Sequence, residues 1–315
     1  MGRKNMIRVF IDGGAGTTGL NVHRRLAERR DISLIQLDEA RRKDPAARQD
    51  AILKSDVTFL CLPDDAAREA VALAGDADTV IIDTSTAHRV APGWTYGFPE
   101  LAGQREKIAR AKRIANPGCH ASGFISLIAP LTEAGLIAGD ASLSCFSLTG
   151  YSGGGKKMIA SYEDEANKVS LQAPTLYGLT QSHKHLPEMA KLCGLKQAPV
   201  FCPVVSSYYA GMEVIVPLTA KDLRGTIEDV KAVYRKVYAG RIVRFADNPD
   251  EGGFLSAGTF AGRDDMEISV YGNEERLTLI SRFDNLGKGA CGAAIQNMNI
   301  ALGLPEETGL VFSEA

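Results

Sequence analysis

Cys119 follows Asn116, Pro117 and Gly118 directly and opens the apolar run CHASGFISLIAPLTEAG. Pro117 and Gly118 force a turn, and the run reads as a buried helix, so the sulfur falls in the first helical turn. There the helix dipole and the unpaired backbone N–H groups favour a thiolate. The same N–H groups would stabilise an oxyanion on a carbonyl bound to that sulfur. Cys119 is therefore the candidate nucleophile. Cys61, Cys145, Cys193, Cys202 and Cys291 lack this setting and read as buried, inert thiols. A reactive thiol needs a base, and the chain has five histidines. His183 and His185, in SHKHLPEM, stand two apart before a short helix opened by Pro187. Residues two apart in an extended segment point the same way, so both can face one cleft; the bland alternative is a pair of exposed loop histidines. His23 in a helix and His88 in a turn read as structural or surface residues.

Two further stretches suit anions. In GYSGGGKKM, Ser152, Gly153 and Gly154 lead into a helix that carries Lys156 and Lys157. The spacing is not that of a nucleotide P-loop, and a small substrate bearing phosphate fits better, with a flexible loop as the alternative. Near the chain start, GGAGTTG sets Gly13, Gly16 and Gly19 between a strand and a helix that begins at Thr17 and Thr18. Glycines there permit the tight turn and the close approach of a pyrophosphate to a helix N-terminus, which is the pattern of dinucleotide binding. Asp38, at the end of the second strand, sits where an acid would bind a ribose 2′-hydroxyl and favour NAD. Arg41 and Arg42 follow and would clamp a 2′-phosphate, favouring NADP. The residues leave both cofactors open. Asp83, Thr84, Ser85 and Thr86 end the fourth strand, the end that faces ligand in an open α/β sheet; ordinary turn chemistry explains them equally well.

The elements that must hold these groups change character along the chain. IRVFIDG, ISLIQLD, DVTFLCLP and TVIIDTS are short apolar strands separated by helices at Thr17 to Arg30, at Pro45 to Lys54 and after Asp64. That alternation predicts a parallel sheet with helices on both faces. After Cys119 the strands lengthen and follow one another: ASLSCFSLTGY, PVFCPVVSSYYAGMEVIVPL, RIVRFA, and the stretch from GGFLSAGTF through MEISVYG to RLTLISRFDN. Helices are expected at 156–168, 187–193 and 226–238. This half is α+β, with a mixed or antiparallel sheet and helices on one face. GACGAAIQNMNIALGL reads as a closing helix rich in small residues.

Bulk properties narrow the function. Lys and Arg total 36 against 38 acids, a formal charge of −2, which leaves no basic footprint for nucleic acid. The N-terminus lacks a signal-peptide core and no apolar run is long enough to span a membrane. Six cysteines without a CxxC pair read as a reduced, cytoplasmic chain with no disulfide frame and no metal site.

Together GGAGTTG, NPGCHASG, SGGGK, HKHLPE, YYAGMEVIVPL and DNLGKGACGAAIQNMN resemble, in order and over essentially the whole chain, the N-acetyl-gamma-glutamyl-phosphate reductase family in its shorter form. That family is related to the aspartate-semialdehyde dehydrogenases. The resemblance implies an NADP-binding Rossmann-like domain over 1–117 completed by a C-terminal helix at 288–315. It implies a catalytic and dimerisation domain of the semialdehyde dehydrogenase type over 118–287, and a homo-oligomer, dimer or tetramer. It places the nucleophile at Cys119, the catalytic histidine at His183 or His185, and Gly287 and Lys288 of the NLGKG turn near the nicotinamide. The implied reaction belongs to arginine biosynthesis: N-acetyl-L-glutamyl 5-phosphate acylates Cys119, phosphate leaves, and hydride from NAD(P)H converts the thioester to the semialdehyde. The alternatives are an aspartate-semialdehyde or aminoacyl-carrier semialdehyde dehydrogenase with the same chemistry, and a non-catalytic dinucleotide-binding redox sensor.

Overall fold

The computed structural model describes residues 6–14, 16–167 and 169–312. The chain divides into two compact units, Met1–Pro117 with Ala290–Leu310, and Gly118–Gly289 with Val311–Ala315.

In the first unit, six strands alternate with helices: β1 (Ile7–Asp12), α1 (Thr17–Ala27), β2 (Ile32–Ile35), α2 (Pro45–Lys54), β3 (Val57–Leu60), α3 (Asp64–Ala74), β4 (Val80–Asp83), β5 (Thr95–Tyr96), α4 (Gln104–Arg110) and β6 (Arg113–Ala115). They form one sheet in the order β2-β1-β3-β4-β6-β5, and every pairing is parallel. β3 and β4 are buried at every residue, as central strands covered on both faces must be. Val22 and Leu26 of α1 pack on one face, with Val9, Phe59 and Ile82. Ala51, Ile52, Ala67 and Ala70 of α2 and α3 pack on the other, with Phe10, Leu60 and Ile81. The first face is completed by Ala294, Ile295 and Met298 of the last helix. β1 ends in a buried charge: Asp12 meets Arg48 Nε at 3.0 Å, and Arg48 also reaches Glu69 at 3.0 Å.

The second unit holds α5 (Cys119–Glu133), β7 (Ser144–Gly150), α6 (Gly155–Glu163), β8 (Thr175–Leu176), α7 (Leu186–Leu192), β9 (Val200–Ser206), β10 (Met212–Thr219), α8 (Ile227–Val237), β11 (Val243–Phe245), β12 (Met266–Gly272) and β13 (Arg276–Phe283). Seven strands run in the order β11-β12-β13-β10-β7-β9-β8; β11–β12 and β7–β9 are parallel and the rest antiparallel. α5 lies against β10 and β13, where Gly123 admits Val214: a Cβ there would sit 2.3 Å from its methyl carbon. Tyr234 and Tyr238 cross from α8 to donate to the carbonyls of Leu127 and Ser126. Thr226 caps α8 in a reciprocal capping box with Asp229. A wide turn at Gly287–Cys291 leads into α9 (Gly292–Ala301).

The parallel sheet followed by a mixed sheet is the expected fold. Local expectations shift in three places. β2 stops at Ile35, so Asp38 lies three residues beyond the strand in an exposed turn whose carbonyl accepts from the N–H groups of Arg41 and Arg42. The 252–260 stretch is not a strand; Gly252 and Gly253 take φ of 67° and 87° and turn the chain at its start. Two helices are shorter than expected: that over 156–168 is α6 followed by one short turn at Glu165–Asn167, and that over 288–315 is α9, which ends at Ala301; Lys168 and 313–315 lie outside the described residues.

Candidate active site

In the second unit Gly118 is the N-cap of α5, and Cys119 is its first residue. The N-cap residue gives no side-chain bond and no acid stands in the first turn, so the helix end favours a negative charge on the sulfur. Cys119 is partly exposed, whereas the thiols of Cys145 and Cys193 are buried and pushed well above the ordinary range by that burial. Cys291 is buried, while Cys61 and Cys202 are partly exposed. The Gly118 N–H donates to Glu188 of α7 at 3.2 Å, which ties the turn before Cys119 to the helix after the histidines.

Those histidines come together. The rings of His183 and His185 meet edge to face at 4.7 Å, and the His185 backbone N–H donates to His183 Nδ1 at 3.2 Å. His183 is half-exposed; His185 is buried as the residue before α7. A third histidine, which carried no role in the sequence reading, sits beside them. His120 lies 5.6 Å from the His183 ring and 5.5 Å from that of His185. Its Nδ1 bonds Ser147 Oγ at 2.6 Å and its Nε2 bonds the Tyr177 hydroxyl at 2.7 Å. Burial, with smaller effects of His183 and Lys184, pushes the His120 pKa down to about 3, so the ring is neutral. Tyr177 is pushed up by burial, with a smaller effect of charge on Cys119.

The NLGKG turn also approaches the thiol. A Cβ on Gly289 would sit 2.9 Å from Cys119 Cβ, and one on Gly287 would strike the Arg263 carbonyl. Lys288 is buried. Asn285 links this turn to the glycine-rich loop: its amide donates to Ser152 Oγ at 3.0 Å and its oxygen accepts from Gly211 N–H at 2.9 Å. Ser152 is buried in this network, while Gly153, Gly154 and Lys156 are exposed. Asn285 thus ties the loop to this turn, and it is visible in the sequence only as part of a motif.

In the first unit the glycine loop closes tightly. Gly13 has φ of 86°, and a Cβ on it would lie 2.3 Å from the Cys61 carbonyl oxygen; a Cβ on Gly19 would lie 2.6 Å from that of Gly13. Gly16 caps α1 without a side-chain bond, and Thr17 Oγ1 is buried with no hydrogen-bond partner. An orphaned hydroxyl at an uncapped helix start, with no acid in the first turn, fits a bound pyrophosphate. Thr18 and Gly19 continue that turn. Among the described residues the exposed Arg41 and Arg42 side chains form surface pairs, with Asp44 at 3.7 Å and Glu39 at 3.2 Å. Ser85 is placed differently from the ligand-facing reading. Its hydroxyl donates to Asp83 at 2.8 Å and accepts from Ala87 N–H, and Asp83 also holds His88, which stacks on Trp94. These are turn interactions within the unit. Among the described residues no helix is long and apolar enough to cross a membrane.

A family model described as semialdehyde dehydrogenase, NAD binding domain, matches residues 8–111, and one described as semialdehyde dehydrogenase, dimerisation domain, matches residues 119–285. Relatives named N-acetyl-gamma-glutamyl-phosphate reductase include that of Brucella anthropi, 47% identical over 306 residues covering 94% of this chain and 98% of the relative. That of Brucella ovis is 46% identical, covering 94% and 99%. Among solved structures, aspartate semialdehyde dehydrogenase II from Vibrio cholerae, complexed with ASA, superimposes with a TM-score of 0.71 at 16% identity, covering 95% of this chain and 98% of the other. Aspartate semialdehyde dehydrogenase with NADP from Candida albicans does so at 0.66 and 14%, covering 95% and 99%. At these identities the structural likeness speaks for the fold.

Proposed function

This chain belongs to the N-acetyl-gamma-glutamyl-phosphate reductases of the semialdehyde dehydrogenase family, and from that premise we propose that it reduces N-acetyl-L-glutamyl 5-phosphate to the 5-semialdehyde and phosphate in arginine biosynthesis, with Cys119 as nucleophile. The observation that carries the reading is a partly exposed cysteine opening an uncapped helix, with a paired histidine motif tied to the turn before it through Glu188.

The Cys119 thiolate attacks the acyl carbon, and the N–H groups of the first α5 turn stabilise the oxyanion that forms. The phosphate leaves toward Ser152, Gly153, Gly154 and Lys156, where an exposed glycine backbone and an ammonium receive it. When bound, a nicotinamide dinucleotide would supply the hydride that reduces this thioester. The C–S bond then breaks, which releases the semialdehyde and returns the thiolate. Acid–base exchange falls to the His183–His185 pair. Gly13, Gly16, Thr17, Thr18 and Gly19 would hold the pyrophosphate, and Gly287 and Lys288 belong to the turn that supports the nicotinamide side.

We assign NADP rather than NAD, because Arg41 and Arg42 are held by surface ion pairs that a 2′-phosphate easily replaces. Asp38, set beyond the strand, uses its carbonyl to shape that same turn. The enzyme works in the cytoplasm as a homo-oligomer, a dimer or tetramer. Phe146, Leu176 and Val200 on the second sheet, all exposed, supply apolar surface for another copy. The test is phosphate-dependent oxidation of N-acetylglutamate semialdehyde and of aspartate semialdehyde, each with NADP and NAD. Turnover fastest with the N-acetylated substrate and NADP is expected; faster turnover of aspartate semialdehyde would move the chain to the neighbouring activity.

A further inference from the structure

We propose that Asp284 is a positioning residue for the nucleophile: its buried carboxylate gathers three backbone N–H groups and so holds the 284–289 turn against the Cys119 side chain. The inference rests on Cys119 being the nucleophile and adds the group that fixes one wall of its site.

β13 ends at Phe283, and the next residue, Asp284, is 3% exposed. Its Oδ1 accepts from the N–H groups of Leu286 at 2.6 Å and Gly287 at 3.3 Å, and its Oδ2 accepts from the N–H of Gly262. Its main-chain carbonyl accepts from the Gly289 N–H at 2.9 Å. One residue therefore binds both halves of the turn and ties it to the separate loop at Gly262. Burial pushes the Asp284 carboxyl pKa up, the three N–H groups pull it down, and Asp264 adds a smaller upward push. A carboxylate accepts at both oxygens; an amide in its place would turn an NH2 group toward one set of N–H groups and lose it.

The turn held in this way reaches the thiol. A Cβ on Gly289 would lie 2.9 Å from Cys119 Cβ and 3.0 Å from the Asp284 carbonyl oxygen, and one on Gly287 would strike the Arg263 carbonyl. Neither glycine takes a positive φ, so what each supplies is room for close approach. Packed this near, Gly289 closes off one side of the Cys119 Cβ and limits where the sulfur can swing. Between them Asn285 accepts from the Gly211 N–H and donates to Ser152 Oγ, so the same turn also meets the glycine-rich loop. Placement matters at this point because a misplacement of about 1 Å can cost about 10²-fold in rate.

The test uses the full chain, isolated as native protein by gel filtration, and phosphate-dependent oxidation of N-acetylglutamate semialdehyde with NADP. Asp284→Asn keeps the size and breaks the link between Gly262 and the turn; Gly289→Ala keeps that link and moves the wall. Each should lower kcat about 10- to 100-fold with KM for the semialdehyde within about twofold. The double variant should be no worse than the poorer single, because both act through the placement of one turn. The Kd for NADP, measured by calorimetry, should be unchanged in all three. Asp229→Ala, which breaks the α8 capping box in the same unit, is the control for stability alone: it should lower Tm and leave kcat as in wild type. An Asp284→Asn variant that behaves like this control, with reduced Tm and wild-type kcat, would overturn the proposal, as would a double variant whose loss is the product of the single losses. If Asp284→Asn does not fold, Gly289→Ala decides it: wild-type kcat there removes the wall that Asp284 is said to hold. Cys119→Ala is run alongside: activity there defeats the nucleophile assignment itself, whereas a dead Cys119→Ala with a fully active Asp284→Asn defeats only the positioning.

Discussion

Two helix starts in this chain are built from nearly the same parts and are surrounded in opposite ways. α1 and α5 each begin after a glycine N-cap, without a side-chain cap and without an acid in the first turn. At α1 the next residue is Thr17, whose buried hydroxyl is left without a partner, and the helix is amphipathic with Leu20 exposed. At α5 the next residue is Cys119, and the following dozen residues, His120 to Leu131, are all buried. The first start is suited to an anion that arrives and leaves. The second is suited to a covalent group, set in a buried helix with Glu188 holding the Gly118 N–H and Gly289 packed against the cysteine Cβ. In the proposed function the same backbone electrostatics would serve exchange in one unit and covalent chemistry in the other, and the difference lies in what surrounds it.

The largest expected effect short of removing the thiol is at the histidine pair. His183→Ala and His185→Ala, made separately, should distinguish the two: the acid–base member loses about 10²–10⁴ in kcat. Rates near wild type in both would remove the motif from the chemistry. Next comes Gly13→Ala. Its positive φ and the carbonyl at 2.3 Å leave no room for a methyl, so the change should cost about 1–3 kcal/mol of stability and weaken cofactor binding roughly 10- to 100-fold. The rate of Cys119 alkylation, read in the other unit, should stay unchanged. Loss of both together would dissolve the contrast between the two starts.

The closed setting of α5 has a signature in stability. His120 is neutral when folded, with a pKa of about 3 against 6.5 when unfolded, so the unfolded chain binds the extra proton between those values. Stability should therefore fall as pH drops from about 6.5 toward 3, by up to about 1.4 kcal/mol per pH unit from this group. Urea titrations of His120→Gln should show a shallower slope in that window; an unchanged slope would mean that other groups dominate. The smallest effect is expected on the exposed side of the first unit. Changing Arg41 and Arg42 to alanine should raise KM for NADP about tenfold and leave that for NAD nearly unchanged. Equal effects on both cofactors would remove these residues from 2′-phosphate recognition.

The order of what the sequence revealed follows the range of the interactions. The start of α5 was legible because a Pro-Gly turn and an apolar run are local signals, and the glycine loop was legible for the same reason. Asp38 was placed at a strand end from its apolar neighbours, but the strand ends when its pairing with β1 stops at Ile35, which only register reveals. The 252–260 segment was read as strand from its apolar and β-branched residues, but Gly252 and Gly253 take positive φ and turn the chain. His120 had no local signal at all. Its partners stand 27 and 57 residues away, and Tyr177 follows a two-residue strand that pairs only because β9 is already in place. Gly289 meets Cys119 from the far end of the unit. Ser85 was read toward ligand because strand ends often face one, whereas Asp83 captures its hydroxyl within the turn.

The central claim is that the helix start at Cys119 carries the covalent step. The most direct measurement is intact-peptide mass spectrometry after incubating the enzyme with N-acetyl-L-glutamyl 5-phosphate and no reduced cofactor. The account predicts one N-acetylglutamyl group on the peptide containing Cys119, discharged when NADPH is added and absent from Cys119→Ala, which also loses turnover while still binding NADP. An acyl group on another cysteine, or substantial turnover by Cys119→Ala, would contradict it.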